Sequence, residues 1–399
     1  MPDAQTSFNF DEEIDRRAVP ALKPHPIVLG EDGEGLFPAG VADMDFRAPP
    51  AVLDALQERL AHGVFGYETV PDGLIPALIG WLRDRHGWRV DPAHILRSPN
   101  VLNALATAIT VFTGKGDGVI VQPPVFFDFY DIIGENDRKL VTNPLVELGG
   151  RYQMDFDGLE RHASDPGNRV LFLCNPHNPV GRVWSRAELE RVDEICRRNG
   201  VLVVSDEIHG DITFPGHAYT PFASLGPAAA QNSITCLSPA KTFNIAACCS
   251  AFTLICDDQR RKNFQAANSR LTVNKNNAFA NVAMEAAWRR GGPWLDAALL
   301  YINQNLALVR EGMSAIPEVR LIEPQGTFLV WLDFRALKLE PDDLTAFLRK
   351  KAGWAVTRGP AFGDEGIGFA RVNIACTRVR LAAALDQLQS AIVSFREGK

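Results

Sequence analysis

The sequence lacks any set of cysteines or histidines with the spacing of a metal site or a redox motif. Its seven cysteines include no Cys-x-x-Cys pair, and its eight histidines are scattered along the chain. An odd number of scattered cysteines is typical of reduced thiols and not of a disulfide framework. We therefore expect a cytoplasmic protein that binds no metal.

Long apolar runs and basic clusters are missing as well. The longest largely apolar run, residues 245–256, is shorter than the roughly 20 residues that span a bilayer. The first residues show neither the basic start nor the apolar core of a signal peptide. Lys and Arg number 41 against 48 Asp and Glu, a formal charge of −7, and no segment concentrates the basic residues. Neither a membrane nor a nucleic acid is therefore an expected partner.

The sequence does contain short apolar segments that alternate with helical patterns, as expected for buried strands and helices. Its 399 residues are enough for about two domains. Ser185 and Glu188 form a capping-box pattern that predicts a helix ending near Gly200. A strand at residues 328–334 and a helix from Pro341 predict a second, α+β subdomain. Continuous apolar runs, typical of strands covered on both faces of a parallel sheet, occur at residues 118–122, 170–174, 201–205 and 251–256.

Four polar motifs lie at or beside the ends of predicted strands, where open α/β sheets bind their ligands. They are residues 175–181 (NPHNPVG), 205–209 (SDEIH), 238–244 (SPAKTFN) and 373–378 (NIACTR). Together and in this order, they resemble the fold-type I enzymes that use pyridoxal 5′-phosphate (PLP). The resemblance implies an α/β fold in which helices wrap a mostly parallel sheet in a large domain, with a smaller α+β domain beside it.

The resemblance is closer to one branch, the carbon–sulfur lyases of the MalY/PatB cystathionine β-lyase type, and covers nearly the whole chain. Residues 41–46 (VADMDF) and 65–67 (FGY) match that branch. It implies that two copies of the chain form a homodimer. It also implies that the chain divides into three structural parts. These are an N-terminal arm with part of the small domain (1–48), a large cofactor-binding domain (49–288) and a C-terminal small domain (289–399).

Lys241 is the residue on which this prediction depends. It follows the apolar segment 234–237, and the resemblance implies that its amine holds the cofactor aldehyde as a Schiff base and later acts as a base at Cα. A lysine in apolar or cationic surroundings has a lowered pKa, which suits both roles. The alternative is an ordinary surface lysine.

Three further residues are expected around the cofactor ring. Asp206 ends a predicted strand, where a carboxylate can keep the pyridine nitrogen protonated; an ordinary turn cap is the alternative. By resemblance, Asn178 donates to the phenolate oxygen of the cofactor and also meets the substrate. By resemblance, His209 lies next to Asn178 at the cofactor, in the position where aminotransferases have a tyrosine. A packed core imidazole is the alternative.

The cofactor phosphate requires hydrogen-bond donors, and a helix amino terminus provides them. Val101 and Leu102 begin a predicted apolar helix, so their amides are the expected donors, together with the hydroxyl of Ser238. By resemblance, Tyr67 reaches the phosphate from the second subunit. A tyrosine buried in the packing of its own chain is the alternative.

Phe126, Arg378 and Ala42 complete the predicted site. Phe126 aligns where the family has tyrosine, and its ring can stack on the cofactor but cannot donate a proton. Arg378 is the predicted clamp for the substrate α-carboxylate, because a guanidinium makes two charge-assisted hydrogen bonds to a carboxylate; a surface arginine is the alternative. Ala42, in the matching segment 41–46, is expected to contact the substrate.

Four residues depart from the family pattern. Cys249 stands where fold-type I enzymes commonly place a cation against the phosphate, which puts cofactor affinity in question. Gly40 replaces a tryptophan, a side chain that buries about 200 Å². Gln325 replaces a glutamate and Thr377 a proline. We expect these changes to cluster around substrate and phosphate and to admit a bulkier substrate.

The predicted function is PLP-dependent α,β-elimination from cystathionine or a cysteine S-conjugate, which yields pyruvate, ammonia and a thiol. An aminotransferase, which shares these residues, is the nearest alternative, and a racemase or decarboxylase is a more distant one. A non-catalytic protein that senses a ligand on the same fold is the alternative from another class. The retained Lys241, Asp206 and Arg378 argue against it.

Overall fold

A computed structural model describes residues 8–273 and 275–398 of the chain. The α-helices in this part are α1 (Pro26–Leu29), α2 (Pro50–His62), α3 (Leu74–His86), α4 (Val101–Phe112), α5 (Asp128–Glu135), α6 (Phe156–Ala163), α7 (Arg186–Arg198), α8 (Pro227–Gln231), α9 (Asp258–Arg270), α10 (Ala278–Arg290), α11 (Gly292–Ser314), α12 (Pro341–Lys350) and α13 (Arg378–Glu397). The strands are β1 (Phe37–Pro38), β2 (Ile95–Ser98), β3 (Gly118–Val121), β4 (Lys139–Thr142), β5 (Val146–Leu148), β6 (Arg151–Gln153), β7 (Asn168–Cys174), β8 (Leu202–Asp206), β9 (Ser233–Leu237), β10 (Ala251–Leu254), β11 (Arg320–Ile322), β12 (Leu329–Asp333), β13 (Trp354–Ala355), β14 (Thr357–Arg358) and β15 (Phe369–Asn373). None of the described helices has both the length and the apolar character that a membrane crossing requires.

The central sheet has seven strands in the order β2-β10-β9-β8-β7-β3-β4. Strands β9, β8, β7, β3 and β4 pair in parallel, and β10 is antiparallel to both of its neighbours. Because parallel strands need crossover connections, helices lie between them in the chain. The prediction of an α/β fold with a mostly parallel sheet is confirmed.

Strand β7 shows why its apolar run is continuous. Val170 and Phe172 pack in one buried cluster with Leu105 of α4, whereas Leu171 and Leu173 pack in another with residues of α7. Side chains alternate between the faces of a strand, so both faces of the sheet are covered by helices.

Helix α7 begins with the predicted capping box. The Ser185 hydroxyl accepts the amide of Glu188 at 3.3 Å, and the Glu188 carboxylate accepts the amide of Ser185 at 2.8 Å. The helix ends at Arg198, just before Gly200, whose φ of 70° is a left-handed conformation that glycine adopts readily. Local sequence therefore sets both ends of this helix.

A second, antiparallel sheet has the order β11-β12-β15-β14, and helices α11 to α13 accompany it in the chain. The short strand β1 pairs in parallel with β13, with Phe37 opposite Trp354, so the amino-terminal segment joins this carboxyl-terminal unit. The domain boundaries after residues 48 and 288 stay predictions, and the second of them falls inside α10.

Candidate active site

The carboxyl ends of three neighbouring parallel strands meet at one cavity of about 480 Å³. Strand β7 ends at Cys174, β8 at Asp206 and β9 just before Ser238. Open α/β sheets bind ligands at this edge. Most of the predicted site residues line the cavity: Ala42, Val101, Leu102, Phe126, Asn178, Asp206, His209, Ser238 and Lys241.

Lys241 lies in the loop after β9, and its side chain is half-buried in the cavity. Its Nζ donates a hydrogen bond of 2.6 Å to the carbonyl oxygen of Ala42. Burial is the main influence on the pKa of Lys241, and it lowers that pKa with help from Arg371. Asp43 and Asp206 oppose the shift. The amine therefore releases its proton more readily than a surface lysine does.

Asp206 is buried at the end of β8, where it caps a turn and also faces the cavity. Its Oδ1 accepts the amide of Ile208 at 3.1 Å, as in a turn, while the carboxylate also lines the cavity. Burial raises the pKa of Asp206 to about 6. Within the described residues, no lysine or arginine forms a salt bridge with it, so this carboxylate is available to a cationic ligand.

His209 is buried against Phe328, and its side chain also lines the cavity. Its ring lies edge-on to Phe328, with centroids 5.9 Å apart. Burial, together with the charges of Lys241 and Arg371, lowers the pKa of His209 to about 3. The imidazole is therefore neutral near pH 7.

The orientation of Asn178 is set by a neighbouring arginine. Its Oδ1 accepts a hydrogen bond of 3.0 Å from Nη1 of Arg371. Because Oδ1 is engaged in this way, the Nδ2 hydrogens remain for a ligand in the cavity. This arrangement fits the predicted donation to the cofactor phenolate.

The amino terminus of α4 presents free amides to the cavity. The side chain of Asn100 accepts the amide of Asn103 at 2.8 Å, which caps the helix. The amides of Val101 and Leu102 precede the first intrahelical hydrogen bond and have no partner in the helix. They are in position to bind an anion.

The wall beside these amides carries hydroxyl and thiol groups. Ser238 Oγ donates to the carbonyl oxygen of Ser250 at 2.8 Å and lies 3.5 Å from Sγ of Cys249. Burial raises the pKa of the Cys249 thiol, which therefore stays neutral. Of the described residues that line the cavity, only Lys241 is a cation. A single chain therefore offers no second cation to the phosphate in place of the one that Cys249 replaces.

The structure does not place Arg378 at the cavity. Arg378 is the first residue of α13, and its Nη2 donates to Oε1 of Gln304 at 2.5 Å. Its guanidinium lies over the ring of Tyr301, 4.6 Å from the centroid. The prediction of a carboxylate clamp at Arg378 is wrong, because its guanidinium contacts Gln304 and Tyr301 and does not line the cavity.

A different arginine, Arg371 of β15, lies beside the cavity. It is 2% exposed, and besides Asn178 it donates to the carbonyl oxygen of Gly40 at 2.6 Å. Its Nε has no partner, and in the described part of the chain it forms no salt bridge. A charged residue between the apolar Ala370 and Val372 was the sequence signal that could have identified Arg371.

Tyr67 also lies away from this cavity. Its side chain is fully exposed, which contradicts the alternative of a packed tyrosine. It lines a separate surface cavity of about 600 Å³ together with Glu58, Arg59 and His62.

The departures from the family pattern do not cluster as expected. Gln325 Oε1 accepts Nε of Arg182 at 2.8 Å, and Thr377 precedes α13, so neither lines the cavity. Gly40 does border the site, through its hydrogen bond to Arg371.

The donor set fits the cofactor that the sequence resemblance implies. The Lys241 amine suits an aldehyde, and the buried Asp206 carboxylate suits a protonated ring nitrogen. The free amides of Val101 and Leu102 suit a phosphate. The ring of Phe126 on the cavity wall suits stacking on an aromatic face.

Comparisons with known proteins show the family to which the chain belongs. The family described as aminotransferase class I and II matches residues 38–388. Cystathionine β-lyase PatB of Bacillus subtilis (strain 168) is 42% identical over 391 residues, which cover 96% of this chain and all of the relative. Protein MalY of Escherichia coli (strain K12) is 31% identical, with 98% and 100% covered. The crystal structure of cystalysin from Treponema denticola, which contains PLP, matches with a TM-score of 0.93 and 33% identity over 97% of this chain and 99% of that one.

Proposed function

Because the chain belongs to the aminotransferase class I and II family, we propose that it catalyses α,β-elimination from cystathionine or a cysteine S-conjugate. The enzyme is a carbon–sulfur lyase that uses PLP, as its relatives indicate. The products are pyruvate, ammonia and a thiol. The observation that carries the proposal is that the Lys241 amine shares one cavity with the Asp206 carboxylate and the Asn178 amide.

Bound PLP supplies an electron sink for the negative charge that develops at Cα of an amino acid. Lys241 holds the cofactor and then moves the proton at Cα. Burial lowers the pKa of Lys241, so the amine gives up its proton and acts as a base more readily than a surface lysine does. The carbonyl oxygen of Ala42 fixes the position of Nζ.

Asp206 and His209 control charge around the ring nitrogen. When PLP is bound, Asp206 would hold the proton on the ring nitrogen, and the positive charge of that nitrogen would lower the pKa of Asp206. His209 is neutral and so adds no positive charge that would compete for Asp206.

Arg371, in place of Arg378, is the residue we propose to bind the α-carboxylate. Burial lowers the pKa of Arg371 to about 9, so the guanidinium is still charged near pH 7. A buried charge without a counterion is costly, and a substrate carboxylate supplies one. Asn178, which is bonded to Arg371, is the proposed second contact.

The test is to incubate the purified enzyme with cystathionine and with cysteine S-conjugates. We expect pyruvate and thiol to form in equal amounts, and neither to form with Lys241→Ala. If an amino donor converts the cofactor to its pyridoxamine form, and a keto acid reverses the change without thiol release, the enzyme is an aminotransferase and the proposal fails.

We also propose that two copies of the chain form a homodimer through the surface around Tyr67. Val64 and Phe65 are more than half exposed next to the fully exposed Tyr67, which is a concentration of apolar surface. A hydroxyl from a second copy would also add a donor where Cys249 replaces a cation. Light scattering should give the mass of two chains, and Tyr67→Phe should weaken PLP binding without changing that mass. A monomer with full PLP affinity would contradict the proposal.

A cytoplasmic location is the last part of the proposal. The seven cysteines are all free thiols, the state that a reducing compartment maintains.

A further inference from the structure

We propose that Asp128 selects substrates whose sulfur substituent carries a positive charge, an inference that rests on the proposed lyase function. Asp128 is the first residue of α5 and lines the same cavity as Lys241, two positions after Phe126. The sequence motifs did not point to it.

The Asp128 carboxylate is half-buried and has no partner of its own. The amino terminus of α5 has no side-chain cap, and within residues 8–273 and 275–398 no hydrogen bond or salt bridge engages this carboxylate. An acid in the first turn stabilises a helix dipole. Asp131, however, is exposed in the same turn and serves that purpose away from the cavity. The helix alone therefore does not require an acid on the cavity wall.

The other charges in and beside the cavity each have a role. Lys241 holds the cofactor, Asp206 faces the ring nitrogen and Arg371 binds the α-carboxylate. Asp128 is the one charge among these described residues without an assigned ligand group.

Substrate binding reduces the positive charge that stabilises ionised Asp128. Burial raises the pKa of Asp128 and the negative charge of Asp131 adds to this, whereas Lys241 and Arg371 lower it. Once the α-carboxylate neutralises Arg371, Asp128 loses one of the two cations that favour its ionised form. A cation on the sulfur substituent replaces the positive charge that ionised Asp128 has lost. A neutral group does not replace it, and an anionic group repels the Asp128 carboxylate.

The experiment compares sulfur substituents of similar size with the holoenzyme. We expect kcat/KM for S-(2-aminoethyl)cysteine to exceed that for S-propylcysteine by about tenfold, the effect of one charge-assisted hydrogen bond. S-carboxymethylcysteine should be the poorest substrate. The ratio of the first two should fall to about one in Asp128→Asn and stay unchanged in Asp131→Asn, which removes the same charge from the same helix. A ratio is independent of the fraction of each variant that folds.

A binding measurement separates this inference from the lyase function. Lysine and norleucine differ by a terminal ammonium and have no β-leaving group, so calorimetry reports their binding to the holoenzyme without elimination. Tighter binding of lysine that depends on Asp128 supports charge selection even if no conjugate is cleaved, which would refute only the lyase function. Cleavage of S-propylcysteine and S-(2-aminoethyl)cysteine with equal kcat/KM overturns the inference and leaves the lyase function intact. Equal loss of the preference in Asp128→Asn and Asp131→Asn also overturns it.

Discussion

Lys241 and Ala42 are joined by a hydrogen bond of 2.6 Å although they lie 199 positions apart in the chain. The segment around Ala42 is held in turn by β15, because Nδ2 of Asn373 donates to the carbonyl oxygens of Val41 at 2.7 Å and Asp43 at 2.6 Å. The amine on the large sheet is thus positioned by a segment that is attached to the small sheet.

Replacing Lys241 by alanine should abolish elimination. Because a positioned acid–base group contributes about 100-fold or more, we expect kcat to fall by at least that factor. Borohydride reduction of the wild-type holoenzyme followed by peptide mapping should label Lys241. The exposed Lys115, changed to alanine, serves as the control and should leave kcat unaltered. A label on another lysine would refute the assignment.

Asp206→Asn should stabilise the cofactor-free protein while it lowers activity. Burial raises the pKa of Asp206 from its ordinary 3.8 to about 6, so between these values the folded state holds a proton that the unfolded chain has lost. Stability therefore falls as the pH rises through this window. The difference corresponds to about 3 kcal/mol at most, which the amide should recover above pH 6. Unfolding of both proteins at pH 4 and pH 7.5 measures it, and a less stable variant at pH 7.5 would contradict the sign.

Arg371 and Arg378 should respond very differently to substitution by glutamine. Removing one partner of a buried charge pair costs about 2–5 kcal/mol, so Arg371→Gln should lower kcat/KM by roughly 100-fold, mainly through KM. Arg378→Gln removes a contact with Gln304 and should change kcat/KM by less than about twofold. Steady-state kinetics on one cysteine S-conjugate distinguishes the two, and the reverse order would restore Arg378 as the clamp.

His209 should not titrate in the working pH range. Because burial and two nearby cations lower the pKa of His209 to about 3, its imidazole should stay neutral from pH 5 to pH 9. NMR of histidine-labelled enzyme, with the His209 signal assigned by its absence in His209→Phe, measures this. A midpoint near pH 6.5 would show that the imidazole is solvated.

The amino-acid sequence by itself determined the parallel sheet, the capped helices and the chemistry at the ends of β7, β8 and β9. These features depend on neighbours within a few residues. Continuous apolar runs mark strands buried on both faces, and the polar residues that follow them must gather at one edge. This pattern places Lys241, Asp206 and Asn178 at that edge, and the resemblance to PLP enzymes supplies the roles expected of them.

Only the tertiary structure decided which arginine faces the cavity and where Tyr67 and Asp128 lie. Arg371 and Asn373 share one face of β15, because side chains alternate along a strand, and the pairing of β15 with β12 turns that face toward Gly40 and Val41. Arg378 starts the next helix and contacts Gln304 outside the cavity lining. Contacts of this kind depend on the register between distant segments, which local sequence patterns do not encode.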